Sequence, residues 1–332
     1  MTLHTEAFVG PLAREMTQFV AHKRALGRRY DTEVYALRLF DRYLVTQAVG
    51  TIAAVGPAVI KEFLATRPRK RPRSYNHLLG VLRQLFQWLA DRGYVDRSPV
   101  SCPIRRGGVA PAPFILAPEA VRRLLDRASQ LRDFPGVADH RGPTYHAIFA
   151  ILYGLGLRVG EVSRLDIVDV DQERKLLVIR DTKFGKDRLV PFGPRLGAVL
   201  RRYLDTCCAS EAERGDAASA PLFVGRYGGR LGRHQIGRVF RSLLPELGLN
   251  VPKGMSPPHL HDLRHSFAVG TLLRWYRAGI DPAQRILQLS VFMGHVQPES
   301  TAIYLTITSD LLAEAGKRFE SLTEPLVDRR QR

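Results

Sequence analysis

Arg158, Lys183, His261, Arg264, His295 and Tyr304 are side chains of the types needed to break a phosphodiester bond without a metal. Without a metal, water is a poor nucleophile, so the attacking atom has to come from the protein and form a covalent intermediate. A tyrosine hydroxyl can do this, although a pKa of about 10 keeps it protonated at neutral pH. Some neighbouring group must therefore accept its proton. Two guanidiniums suit the non-bridging oxygens, because arginine stays charged and donates from a planar fork that matches phosphate. Their attraction grows as charge develops in the transition state. The departing 5′-oxygen needs a proton, which a lysine on a hairpin tip could deliver.

Taken singly, each of these residues is ordinary. An arginine at a helix start is commonly a surface ion-pair partner, a lysine in a β-turn is commonly solvated, and a tyrosine after a loop is commonly core or surface. Order and company carry the reading. GLGLRVGEVSRL places Arg158 after a Gly-rich turn at 154–156, at the start of a helix. KLLVIRDTKFGKDRLVPF reads as strand, turn and strand around Lys183-Phe184-Gly185-Lys186. HLHDLRHSF sets His261 and Arg264 three apart, which predicts one helical face. MGHVQPESTAIYL puts Tyr304 nine positions after His295. His261 and His265 also have the four-residue spacing of a zinc-protease pair. That motif needs glutamate where this chain has Asp262, and Arg264 would set a cation beside the metal, so a metallohydrolase is set aside.

These residues need a scaffold, and 332 residues are enough for two domains with separate cores. Leu12, Met16, Phe19 and Val20 fall at helical spacing, as do Val34, Leu37, Phe40 and Leu44 after a start at Asp31. Leu78, Leu82, Leu85, Phe86 and Leu89 form a third stripe, with a weaker helix around 56–65, which together predict a four-helix bundle. Before its last helix runs RPRKRPRS, where Arg67, Arg69, Lys70, Arg71 and Arg73 are separated by Pro68 and Pro72. This reads as an exposed loop suited to DNA phosphates. The Gly/Pro-rich SCPIRRGGVAPAPFIL changes the composition. The expected organisation is a helical domain over 1–102, a linker over 103–113 and a mixed α+β domain over 114–332, with loops at 211–233 and 249–258.

Fifty Lys and Arg against 32 acids leave a net charge of +18, a field that favours a polyanion such as nucleic acid. Cys102, Cys207 and Cys208 are few, odd in number and lack metal-ligand spacing, which suggests a reducing cytosol. No apolar run is long enough to span a membrane, and the N-terminus does not read as a secretory signal.

The motifs together resemble the tyrosine recombinase superfamily, the phage-integrase and Xer-like enzymes. HDLRHSFA is similar to the family's H-x-x-R segment. GLRVGEVSRL is similar to its first-arginine segment, with Glu161 at the usual acidic position, and KFGKDRLVPF to its lysine hairpin. The His295–Tyr304 spacing matches the family's C-terminal motif, and the likeness spans roughly 10–310. It implies a multidomain, mainly α protein: an N-terminal four-helix, SAM-like core-binding bundle followed by a mixed α+β catalytic domain with a small antiparallel sheet.

The resemblance also implies roles. Tyr304 would form a 3′-phosphotyrosyl link, Arg158 and Arg264 would hold the phosphate, and Lys183 would protonate the leaving oxygen. His261 would accept the tyrosine proton and His295 would bond the phosphate. His259 and His265 flank His261, which only the three-residue spacing to Arg264 selects; Lys186 competes with Lys183. No ATP, metal or other cofactor would be needed. The partners would be double-stranded DNA and further protomers, as a homotetramer or a hetero-oligomer of related recombinases, on the nucleoid in the cytoplasm. A type IB topoisomerase, or a DNA-binding protein without catalysis, is the alternative. The 279–294 segment looks about one helical turn longer than is usual in the family. The amphipathic SDLLAEAGKRFESL is expected to dock on a neighbouring protomer.

Overall fold

The computed structural model describes residues 8–69, 71–108, 113–136, 140–180, 187–208, 220–252, 255–295, 299–306 and 313. The chain divides into two compact units, Met1–Ala110 and Pro111–Arg332.

In the first unit the apolar stripes become helices α1 (Ala13–Ala25), α2 (Asp31–Thr46), α3 (Pro57–Ala65) and α4 (Pro72–Ala90). Their starts follow from local chemistry. Asp31 and Glu33 place negative charge on the positive end of α2, and α3 and α4 open on prolines, whose missing N–H has no helical partner to lose. Each helix sends one phenylalanine to the centre: Phe19, Phe40, Phe63 and Phe86 are all fully buried. Phe40 meets the edges of Phe63 and Phe86, with centroids 4.9 and 6.1 Å apart.

The basic segment bridges α3 and α4. Arg67 and Arg69 are half-buried, while Arg71 and Arg73 are exposed, the latter on the first turn of α4; Lys70 lies outside the described residues. Tyr75 and Asn76, next to this segment, are occupied within the unit. The Arg105 guanidinium stacks 3.9 Å over the Tyr75 ring, and Asn76 exchanges two 2.8 Å hydrogen bonds with the Arg105 backbone.

The second unit is mixed. Helices α5 (Pro118–Ser129) and α6 (Arg141–Gly154) pack together, and the one-turn α7 (Val159–Val162) follows. Strands β1 (Val170–Asp171), β2 (Leu176–Ile179) and β3 (Arg188–Pro191) form an antiparallel sheet in that order, with Leu177 opposite Val190 and both buried. The hairpin tip expected at Lys183–Lys186 lies outside the described residues. Then come α8 (Pro194–Cys207), α9 (Arg233–Leu243), α10 (Asp262–Arg277), α11 (Pro282–Met293) and α12 (Glu299–Ala302), with a 3₁₀ turn at Ile303–Thr306. The 211–233 stretch, expected as plain loop, carries two β-bridges, Asp166 to Pro221 and Val224 to Arg230. They pair its backbone groups where they would otherwise be buried without partners. Among the described residues no helix is long and apolar enough to cross a membrane.

Candidate active site

Two glycine turns organise the site. After α6 the chain passes through Gly156 at φ +59°, where an added Cβ would lie 2.3 Å from Phe267 Cδ1. Only glycine suits that backbone and that contact. Two residues later Arg158 is the N-cap of α7. The other turn ends α11 at Gly294, φ +69°, the left-handed cap that closes many helices. The last carbonyls of a helix lack intrahelical donors and carry partial negative charge. Here guanidiniums take them. Arg158 Nη2 donates to Gly294 O at 2.8 Å and Arg264 Nη2 to Met293 O at 2.8 Å, while Arg188 Nη2 makes a long 3.5 Å contact with Met293 O. Arg264 Nη1 donates to Gly156 O at 2.6 Å, so one side chain ties both turns together.

Three cations this close need an anion, and Glu161, 4% exposed, supplies it. Its Oε1 accepts Arg158 Nη1 at 2.9 Å and Arg188 Nη1 at 3.1 Å. Its Oε2 accepts the Arg158 backbone N–H and Arg188 Nη2, both at 2.9 Å. Burial pushes the Glu161 carboxyl up, but hydrogen bonding and charge from Arg188, then Arg158, outweigh it and hold the pKa down at about 2. Arg264 is 1% exposed; burial and the neighbouring Arg158 lower its pKa to about 10, which leaves it charged at neutral pH.

The imidazoles and the phenol line the same pocket. His261 is the N-cap of α10; its backbone is helical and its carbonyl accepts the Arg264 and His265 N–H groups, so its three-residue spacing to Arg264 follows the helix. His265, one turn into α10, places Nδ1 2.7 Å from Tyr304 Oη, and the His261 ring meets His265 edge-on with centroids 4.7 Å apart. His295 Nδ1 lies 2.6 Å from Thr301 Oγ1, and its ring is near-parallel to that of Tyr304, with centroids 6.5 Å apart. Burial, then nearby cationic groups, lowers both His261 and His295 to about 4. Burial also lowers His265, against an upward pull from Asp262. Neutral imidazoles can accept a proton. Tyr304, in the 3₁₀ turn, is 2% exposed and packs with Ala268, Val269, Leu272, Leu289 and Met293. Burial raises its pKa, while Arg264 and Arg158 pull it down.

The fold thus brings together five of the six residues singled out from sequence: Arg158, His261, Arg264, His295 and Tyr304. Lys183 lies outside the described residues. Arg67, Arg69, Arg71 and Arg73 belong to the other unit. His259 is exposed, its Nδ1 3.8 Å from Asp262 Oδ2. Two site residues were not singled out. Arg188 carries no motif signal of its own, and His265 appears only as a flank of His261 and as its partner in the metal pair that was set aside, although its four-residue offset puts it one turn along the helix.

The comparisons with known proteins agree with this geometry. Residues 115–310 match the Phage integrase family. The putative integrase/recombinase y4rB of Sinorhizobium fredii is 34% identical over 310 residues, covering 91% of this chain and 95% of its own length. Tyrosine recombinase XerC of Pelobacter propionicus is 27% identical, covering 92% of this chain and 94% of its own. The solved structure of the Tn1549 transposon integrase in complex with a circular intermediate DNA shares the fold, with a TM-score of 0.62 and 17% identity over 94% of this chain and 100% of that one. A family match over more than half the chain, and a relative this similar along almost all of it, carry the same conclusion as the site: the chain belongs to the phage integrase family, the tyrosine recombinases.

Proposed function

We propose that this chain is a site-specific recombinase that cuts and rejoins DNA through Tyr304. The observation that carries the reading is the convergence of Arg158 and Arg264 on the Met293–Gly294 carbonyls, in the pocket that also holds Tyr304. Tyr304 Oη attacks the scissile phosphorus as the bond to the 5′-oxygen breaks, leaving a 3′-phosphotyrosyl link. The phenolic proton passes to the histidines lining the pocket, His261 in the reading from sequence. Lys183 gives the leaving 5′-oxygen its proton, and His295 bonds the phosphate. A 5′-hydroxyl from another strand then reverses the reaction. The link conserves the energy of the broken bond, so no ATP or metal enters. With 2% of Tyr304 exposed, the phenol must turn out of its apolar neighbours before it meets a strand. Protomers assemble on paired DNA sites to exchange strands, acting on the nucleoid. The named relatives are integrases and recombinases, which sets the topoisomerase reading aside.

The test uses duplexes taken from the DNA flanking the gene, nicked near candidate sites so that the cut strand diffuses away. The expected product is protein attached to a 3′ phosphate. No adduct on any duplex from the flanking DNA would overturn the proposal.

Residues 1–102 are proposed as the core-site DNA-binding domain, with Arg67, Arg69, Lys70, Arg71 and Arg73 on the backbone. Replacing the five with glutamine should weaken binding and flatten the plot of log affinity against log salt, by about 0.9 for each cation that meets a phosphate. Fluorescence titration across a salt series measures this, and an unchanged slope would make the segment ordinary solvated surface.

A further inference from the structure

Arg188 opens β3, where a cation beside a hairpin normally faces water. Here only 15% of the side chain is exposed. It lies between Glu161, both of whose oxygens it bonds, and the turn after α11. The fit to that turn is close: a Cβ on Gly294 would fall 2.8 Å from Cζ and Nη1 of Arg188. Its Nε is buried with no partner among the described residues.

The hydrogen bonds on Glu161 assign it a task. Of the four donors on this carboxylate among the described residues, two come from Arg158 and two from Arg188. Because Arg188 takes half of the carboxylate, Arg158 needs only Nη1 to meet it from its side chain. Nη2 is then left to reach Gly294 O, and a third of the side chain (33%) stays exposed. Without Arg188, a buried carboxylate would lose half its donors, which is strongly unfavourable. Arg158 is the cation next to it. It would be drawn to cover both oxygens with its fork, off Gly294 and away from the orientation that faces a ligand.

We infer that Arg188 is a positioning residue for strand cleavage: by sharing Glu161 with Arg158 and abutting the Gly294 turn, it holds Arg158 in the orientation that meets the scissile phosphate. The inference rests on the proposed role of Arg158 as a phosphate clamp. Arg188 itself need not touch DNA. Its effect should fall on the chemical step and depend on the negative charge at position 161.

The test is single-turnover adduct formation by full-length protein on the nicked duplex, beside DNA-binding titrations and thermal melts. Arg188→Met should bind DNA within about twofold of wild type yet cleave about 10- to 100-fold more slowly, the usual cost of losing a group that orients a catalytic side chain. Arg188→Lys keeps the charge but cannot span both oxygens, and should show the same selective slowing to a smaller degree. The distinguishing variant is Glu161→Gln with Arg188→Met. Removing the unshared anion releases Arg158, so the double variant should cleave faster than Arg188→Met alone, a recovery that a merely structural role would not give. Wild-type cleavage by Arg188→Met, or a double variant no faster than the single, would overturn the inference while leaving the recombinase reading intact. Failure of wild-type protein to form any adduct would overturn that reading, and this one with it.

Discussion

In Tyr304→Phe protein, covalent capture of nicked DNA falls to background while site binding stays near wild type. The variant removes one oxygen. The ring still fills the space among Ala268, Val269, Leu272, Leu289 and Met293, so the local packing survives. The stability cost is the hydrogen bond between Oη and His265, about 1 kcal/mol. What disappears is the proposed nucleophile, for which a neutral imidazole or a water cannot substitute in making a 3′ adduct. Gel separation of protein–DNA adducts, with band shifts on intact duplex, measures both halves. Capture equal to wild type would mean that a different tyrosine attacks. Tyr276, on α10 and packed against the same apolar cluster, would be examined first.

The second large effect is at Arg264, and it should be double. Arg264→Met removes a proposed phosphate donor, and cleavage should fall by about 100- to 1,000-fold, the range for losing one donor from a site that stabilises developing charge. It also removes the strut between Gly156 O and Met293 O, carbonyls contributed from distant parts of the chain. A buried carbonyl left without its donor typically costs about 1–3 kcal/mol. The melting temperature should therefore drop along with activity. Arg264→Lys should fare little better, since one ammonium cannot replace a planar fork spanning two carbonyls. Arg158, with a third of its side chain exposed, provides the contrast: its replacement should cost more in cleavage than in stability. Thermal melts beside single-turnover trapping separate the two. An Arg264→Met protein that melts like wild type would show that the strut carries no weight.

Much of the fold was legible because burial imposes a period on sequence. The stripes through Phe19, Phe40 and Phe86 identified α1, α2 and α4, and the apolar runs on either side of Lys183-Phe184-Gly185-Lys186 identified β2 and β3. What periodicity cannot register is a contact made across elements. The helix after Arg158 is a single turn, too short to show a period, and it is held by the Glu161 carboxylate as well as by Val162 in the core. The β-bridges at Pro221 and Arg230 join backbone groups with no side-chain signature. For the site, Arg158, Arg264 and Tyr304 stood out through motif and chemistry together. The histidine beside Tyr304 Oη did not, because the spacing to Arg264 singled out His261, and the approach of His265 to Tyr304 is a contact between separate elements. Arg188 stayed hidden for a different reason: nothing in KDRLVPF distinguishes an inward arginine from a solvated one.

The guanidiniums of Arg158 and Arg264 both reach peptide oxygens, which any amino acid offers, although Arg158 also bonds the Glu161 carboxylate. A catalogue of positions that change in concert would pass over these attachments, since Met293 could become leucine without either arginine noticing. Their only trace in the letters of the chain is negative, a missing side chain at 156 and another at 294. Anyone transplanting this pocket into a different scaffold would have to copy two bends in the backbone before copying a single charged residue.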